Sequence, residues 1–212
     1  MADLDFFFDP VCPWAWITSR WVVEVQQQRD YDVAWKFISL KMINQDLVAN
    51  WYTPEYRAGH MAGLYAHRVC DEVRLRHGNA EVGALYTALG EAFHPGQRRP
   101  EISAAPQAFM AEMLAAAGLP TEYATHVDDE SHDEYIRADT DLAFSRTGRD
   151  VGTPIITFHP STSIEASFFG PVISVIPRGE EAAKLWDAIE TIATSTGMAE
   201  LKRSIRERPL FD

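Results

Sequence analysis

Hydrophobic periodicity changes twice along this chain, and those two changes limit the fold more than any single motif. Residues 4–8, LDFFF, form a short aromatic run with the length of a buried strand. From Pro13 the apolar residues Trp14, Ile17, Trp21, Val22 and Val25 recur on one helical face, and Gln26–Arg29 end that helix in polar residues. Residues 33–40 then alternate, with Val33, Trp35 and Phe37 set against Ala34, Lys36 and Ile38. The opening therefore reads as β-α-β, a unit whose strands run parallel. Across residues 52–148 the pattern is helical throughout, with segments expected at 54–77, 80–93, 105–117, 121–127 and 131–147. Breaks fall at His77-Gly78-Asn79, His94-Pro95-Gly96 and Gly118-Leu119-Pro120. Strands return at 155–158 and 164–169, separated by a hairpin, and a last amphipathic helix is expected over 178–192. Without its middle the order is β-α-β-β-β-α, an α/β sandwich interrupted by an all-helical insertion. The expected division is a core of residues 1–50 and 150–212 around a helical insertion of residues 51–149.

Bulk properties narrow the function. The chain has 212 residues, a formal net charge of −12 and 46% hydrophobic residues. The acidic balance argues against nucleic-acid binding, which needs a basic face, and against docking on anionic lipid. No stretch approaches the ~18 apolar residues of a membrane span. The N-terminus lacks the features of a signal peptide. Two cysteines cannot build a disulfide framework, so a cytoplasmic location is expected.

Chemistry points to Cys12, which stands where the first strand hands over to the first helix. Cys12-Pro13-Trp14-Ala15 begins like a C-x-x-C dithiol motif, but Ala15 occupies the place of the second cysteine. Pro13 suits the first helical turn, where a missing N–H costs nothing. A sulfur at a helix N-terminus faces the amides of Trp14 and Ala15 and the positive end of the dipole. These are expected to favour thiolate and lower the pKa. Thr153-Pro154 precedes the third strand. This proline is either an ordinary strand-start residue or a cis-proline exposing the Thr153 backbone to a substrate. Cys70 reads as a buried helix residue, with a resolving cysteine as the alternative. The seven histidines show no zinc spacing, and although His60 and His67 could share a helix face, no metal is expected. Asp128-Asp129-Glu130 reads as a solvated helix end. There is no G-x-G-x-x-G or P-loop, so no nucleotide cofactor is expected.

With these residues in place, the chain resembles the DsbA-like branch of the thioredoxin-fold family, and within it the mycothiol-dependent nitroreductase and disulfide reductase group. The resemblance rests on Asp9-Pro10-Val11-Cys12-Pro13-Trp14, on Trp16-Ile17-Thr18-Ser19-Arg20-Trp21 and on Asp150-Val151-Gly152-Thr153-Pro154. Further stretches are Phe168-Phe169-Gly170-Pro171-Val172-Ile173-Ser174, Ile176-Pro177-Arg178-Gly179-Glu180-Glu181-Ala182, Lys184-Leu185-Trp186-Asp187 and the ending Pro209-Leu210-Phe211-Asp212. It implies that Cys12 is the attacking cysteine, that Pro154 is the cis-proline with Thr153 beside the substrate, and that a groove lies between core and insertion. It also implies mycothiol as co-substrate.

Ala15 departs from the dithiol form and favours monothiol exchange, with a second thiol resolving the mixed disulfide. Nitro-compound reduction is implied less directly. The expected partners are a small thiol together with a disulfide or electrophilic small molecule. Arg20, Arg57 and Arg178 are candidate contacts to that thiol, and a homodimer is compatible with the apolar insertion. Two other functions remain open. One is a thiol-dependent transferase or isomerase, like the kappa-type glutathione transferases and 2-hydroxychromene-2-carboxylate isomerases. The other is a thiol-partner binding module without turnover.

Overall fold

Strand β1 (Leu4–Phe8) is buried along its whole length and forms one of the two central strands of a four-stranded sheet in the computed structural model. The structure describes residues 2–205 and 207–211. Asp212, the last residue of the C-terminal stretch quoted above, lies outside the described residues. Helix α1 (Pro13–Gln26) follows β1 and leads to β2 (Val33–Phe37), which pairs parallel with β1. β3 (Ile155–Phe158) pairs antiparallel with the other side of β1, and β4 (Ala166–Phe169) pairs antiparallel with β3. The sheet order is β2-β1-β3-β4. The β-α-β and β-β-α orders expected from the sequence are both present.

Between β2 and β3 lie α2 (Leu40–Ile43), α3 (Pro54–His77), α4 (Asn79–Phe93), α5 (Arg99–Ala104), α6 (Pro106–Ala116) and α7 (Asp133–Thr147). α8 (Gly179–Thr194) follows β4. α3 matches its expected bounds. It starts on Thr53, whose side chain accepts from the Tyr56 amide, and ends at Gly78, whose φ of 102° places it in the left-handed region. The segment expected as a helix over 121–127 is instead a 3-10 helix, Thr121–Asp128, and a second short one covers Glu130–His132. α2 and α5, of four and six residues, were not anticipated.

One apolar cluster runs from the sheet through α1 into α3, α4 and α6, including Phe6, Phe8, Trp16, Leu85, Tyr86 and Leu114. A fully buried side chain of this size contributes roughly 1.5–3 kcal/mol, so this shared core binds the helices to the sheet. Glycines set the closest approaches. A Cβ on Gly63 of α3 would collide with the Asp9 carboxylate, one on Gly83 with the Trp35 indole, and one on Gly90 with the Trp16 ring. Polar ties cross the same boundary. Asp139 of α7 accepts from the Phe37 amide at 3.1 Å and pairs with Lys36, while Arg146 pairs with Asp5 inside β1 at 2.7 Å. On the other side of α1, Trp21 Nε1 donates to the Ala182 carbonyl of α8. No helix among the described residues is long and apolar enough to cross a membrane.

Candidate active site around Cys12

Cys12 is the N-cap of α1, with Pro13 as the first helical residue. Its backbone N–H bonds the Asp9 carbonyl at 3.0 Å, which closes the loop between β1 and α1. This loop is held from below by three buried side chains on or beside it. Asp9, fully buried, accepts from the Val11 amide at 3.0 Å and from the Leu40 amide at 2.7 Å. His67 of α3 places Nε2 3.0 Å from the Phe8 carbonyl, and His94, just after α4, places Nε2 3.0 Å from the Pro10 carbonyl. In both histidines Nε2 must carry the proton, because a carbonyl only accepts. The His94 ring also stacks on Trp16 of α1.

The opposite wall is the turn before β3. The Thr153–Pro154 peptide is cis, and the Thr153 carbonyl accepts a hydrogen bond from Cys12 Sγ at 3.5 Å. The Thr153 hydroxyl donates to the Phe7 carbonyl. Gly170–Pro171 is a second cis peptide that the sequence reading did not anticipate. It adjoins the first, since the Gly170 amide bonds the Pro154 carbonyl at 2.9 Å, and Thr18 of α1 donates to the Pro171 carbonyl at 2.8 Å. Cysteine, Thr153 and both prolines thus meet at one end of the sheet.

The electrostatics depart from expectation in one respect. The helix N-terminus was expected to lower the Cys12 pKa, and the amides of Ala15 and Trp14 do act in that direction. Burial outweighs them and, with the nearby Asp9 carboxylate adding to it, pushes the thiol up to about 12. Cys12 is only 6% exposed, and a thiolate there loses most of its hydration. The bond to Thr153 fits this state, because a carbonyl oxygen holds a thiol and repels a thiolate. Burial likewise raises Asp9 to about 7, against the opposing pull of the Leu40 and Val11 amides. Burial also lowers His67 and His94 to about 4, so both are neutral near pH 7.

The remaining expected site residues divide. Ala15 is fully buried under Cys12, and Trp14 is half-buried at its side. Cys70 is a free, fully buried thiol inside α3. Of the three arginines, Arg20 and Arg178 are close enough along α1 to act on one another, while Arg57 has other partners. Arg20 lies over the Trp16 ring at 4.2 Å and donates to Thr87 of α4. Arg57 donates to the Leu47 carbonyl, and Arg178 pairs with Glu24 beside the start of α8. His60 and His67 do not act as a pair, since His60 bonds the Tyr52 hydroxyl. The roles of Asp9, His67, His94 and Thr18 were not legible in sequence, because each depends on contacts distant along the chain.

Residues 11–203 match the family model described as Rv2466c-like, mycothiol-dependent nitroreductase Rv2466c. The chain belongs to this family. The chain is similar along most of its length to Rv2286c, an uncharacterized Mycobacterium tuberculosis protein. The two are 29% identical over 203 residues, 96% of this chain and 82% of that one. Among solved structures, the family member is similar to the cytosolic disulfide reductase DsbM of Pseudomonas aeruginosa with GSH. That TM-score is 0.59 at 16% identity, covering 88% of this chain and 98% of DsbM. It is also similar to the probable DsbA oxidoreductase SCO1869 of Streptomyces coelicolor, with a TM-score of 0.59 at 16% identity over 96% and 94% of the two chains. The fold is the DsbA-like thioredoxin fold.

Proposed function

We propose that the protein is a monothiol thiol–disulfide oxidoreductase that uses mycothiol and reacts through Cys12. The observation that carries this reading is the placement of Cys12 at the N-cap of α1, its sulfur 3.5 Å from the carbonyl before cis-Pro154. Cys12 sulfur attacks the mycothiol sulfur of a disulfide between mycothiol and a second thiol. The S–S bond breaks, the second thiol leaves as thiolate and takes up a proton, and Cys12 becomes a mixed disulfide with mycothiol. A second mycothiol attacks that mixed disulfide, freeing Cys12 and leaving mycothiol disulfide. Each turnover releases the second thiol, consumes one free mycothiol and leaves one mycothiol disulfide, half of which came from the substrate disulfide. No second protein cysteine is needed, which agrees with Ala15.

Cys12 must lose its proton before it attacks. In the closed site the thiol is held neutral by burial and by Thr153. Entry of a polar ligand beside Thr153 supplies the hydration and donors that a thiolate requires, so deprotonation follows binding. The same thiol supply would take a nitro group to nitroso, two mycothiols giving mycothiol disulfide and one water. We place the division between the thioredoxin core and the helical insertion at residues 50–51 and 149–150, and the protein in the cytoplasm.

The neutral Cys12 favours one second reading. A thiol that donates to Thr153 could instead donate to the sulfur of a bound mycothiol thiolate, activating it for a transferase or isomerase reaction without a mixed disulfide. Intact mass after exposure to oxidised mycothiol separates the two. The exchange reading expects one mycothiol adduct, lost in Cys12→Ser. No adduct on the unaltered protein overturns it and leaves the transferase reading.

A further inference from the structure

We propose that His126, His132 and Glu72 form a binding site for one divalent transition-metal ion of the Zn2+ type, which clamps residues 121–132 onto helix α3. The three side chains each bring one ligand atom to within 4.8 Å of the others. They converge from two parts of the chain, and their spacing gave no sign of it in sequence.

Proton accounting at His132 defines the site. His132 is 5% exposed, and its Nδ1 lies 2.8 Å from Oδ2 of the buried Asp71. A carboxylate accepts, so Nδ1 carries a proton; the bond to Asp71 raises the His132 pKa against the opposing effect of burial, and a cation at Nε2 takes the place of the second proton. A carboxylate holding the far nitrogen is the usual way of orienting a metal-binding histidine. Nε2 then faces only groups that can themselves act as ligands: His126 Nδ1 at 3.2 Å, Asp129 Oδ2 at 3.8 Å and Glu72 Oε2 at 3.9 Å. His126 Nδ1 is also 3.2 Å from Asp129 Oδ2. Without a cation, the contact between the two histidines needs a proton on His132 Nε2 or on His126 Nδ1, at the place a metal ion would take.

The geometry suits a small, borderline-soft cation. Two nitrogens bound tetrahedrally to Zn2+ at 2.0–2.1 Å stand about 3.3 Å apart, close to the 3.2 Å between these two. Two imidazoles and a carboxylate favour zinc over calcium or magnesium, which prefer oxygen. Asp129, on the solvent side, stands as a fourth donor beside the two nitrogens. Neighbouring cations are already engaged: Arg76 with Glu72 Oε1, Arg74 with Asp71, and Arg68 with Asp133 and Glu130. Glu72 Oε2 is thereby left facing His132 Nε2 at 3.9 Å, while Oε1 lies 3.8 Å from His126 Nε2. His126 lies in the first 3-10 helix, His132 in the second, and Asp129 at the extended junction between them, so the bend at Asp129 brings the three together. Asp129, expected to be part of a solvated helix end, caps the Ser131 amide and reaches His126.

The test is Zn2+ titration of metal-stripped Cys12→Ser protein, which removes the candidate active-site thiolate as a competing ligand. Binding is read by calorimetry and by Tm. The expected result is one Zn2+ per chain and a Tm rise of about 5–10 °C at 100-fold excess over Kd. His126→Gln is expected to weaken binding at least tenfold, and Asp71→Asn about 10–100-fold. Co2+ in the same protein is expected to give ligand-field bands without thiolate charge transfer. His126 is partly exposed, so its variant folds and decides the matter even if His132→Gln does not. The proposal is overturned if the Cys12→Ser protein shows no saturable Zn2+ binding. It is equally overturned if stoichiometry and affinity are unchanged in His126→Gln.

Discussion

His94 Nε2 holds the Pro10 carbonyl at 3.0 Å, two residues before Cys12, while His67 holds the Phe8 carbonyl at the same distance. The two histidines grip the β1–α1 loop on either side of Asp9, and both do so as neutral rings.

That neutrality sets a pH dependence. His60, His67 and His94 are each lowered to about 4 by burial, so between pH 4 and 6.5 the unfolded chain binds protons that the folded chain refuses. Their contribution is complete above 6.5 and is lost as pH falls through 4. Asp9, raised to about 7, runs the other way: its contribution is present below 3.8 and is lost as pH rises through 7. Asp139 and His132, also raised, act with Asp9, and the three lowered histidines together are expected to prevail, so stability rises with pH from 4 to 6.5. Urea midpoints across that range are expected to climb, and His94→Asn is expected to flatten the slope.

Cys12 has its own signature. Its folded pKa of about 12 lies above the unfolded value, so its share of stability is complete below about 8.5 and is lost as pH rises towards 12. Iodoacetamide is expected to alkylate folded, ligand-free Cys12 more slowly than a free cysteine at pH 7.5, with a rate still climbing at pH 10. A plateau below pH 8 would show an exposed thiolate in the resting protein.

Gly63→Ala tests the floor of the site. The added methyl meets the Asp9 carboxylate, which cannot retreat without losing the Val11 and Leu40 amides. Overpacking of this kind costs about 1–3 kcal/mol. A lower urea midpoint is expected together with slower formation of the Cys12–mycothiol adduct.

Ala15→Cys places a second sulfur three residues after Cys12 on the first turn of α1, where the Ala15 amide already faces the Cys12 sulfur. Under mild oxidation this variant is expected to form an internal disulfide, lose two hydrogens in mass and no longer accumulate the mycothiol adduct. Retention of all three free thiols, Cys70 included, would show that the helix start cannot close the bond.

The layout of the fold was legible in sequence wherever periodicity was long. β1, α1 and α3 fall where the apolar spacing puts them, and Gly78 and Gly148 stop helices as expected. α2 and α5 are too short for any period to show. β4 begins at Ala166 rather than Ile164, which is 60% exposed. The position of Cys12 was readable because a strand end and a Pro at a helix start are local signals. Its titration was misjudged because the helix amides are local while the burial comes from elements far along the chain. Asp9 stood in sequence only as part of the stretch around Cys12, and the Leu40 amide and Gly63 reveal that it supports the loop.

The three glycines that admit Asp9, Trp35 and Trp16 into the surfaces of α3 and α4 have a consequence for access. Helices interlocked in this way, and sharing one apolar core with the sheet, cannot swing aside like a lid on a hinge. Access to the Cys12 sulfur must therefore open at the contact between Cys12 and Thr153 itself, within a frame that stays shut.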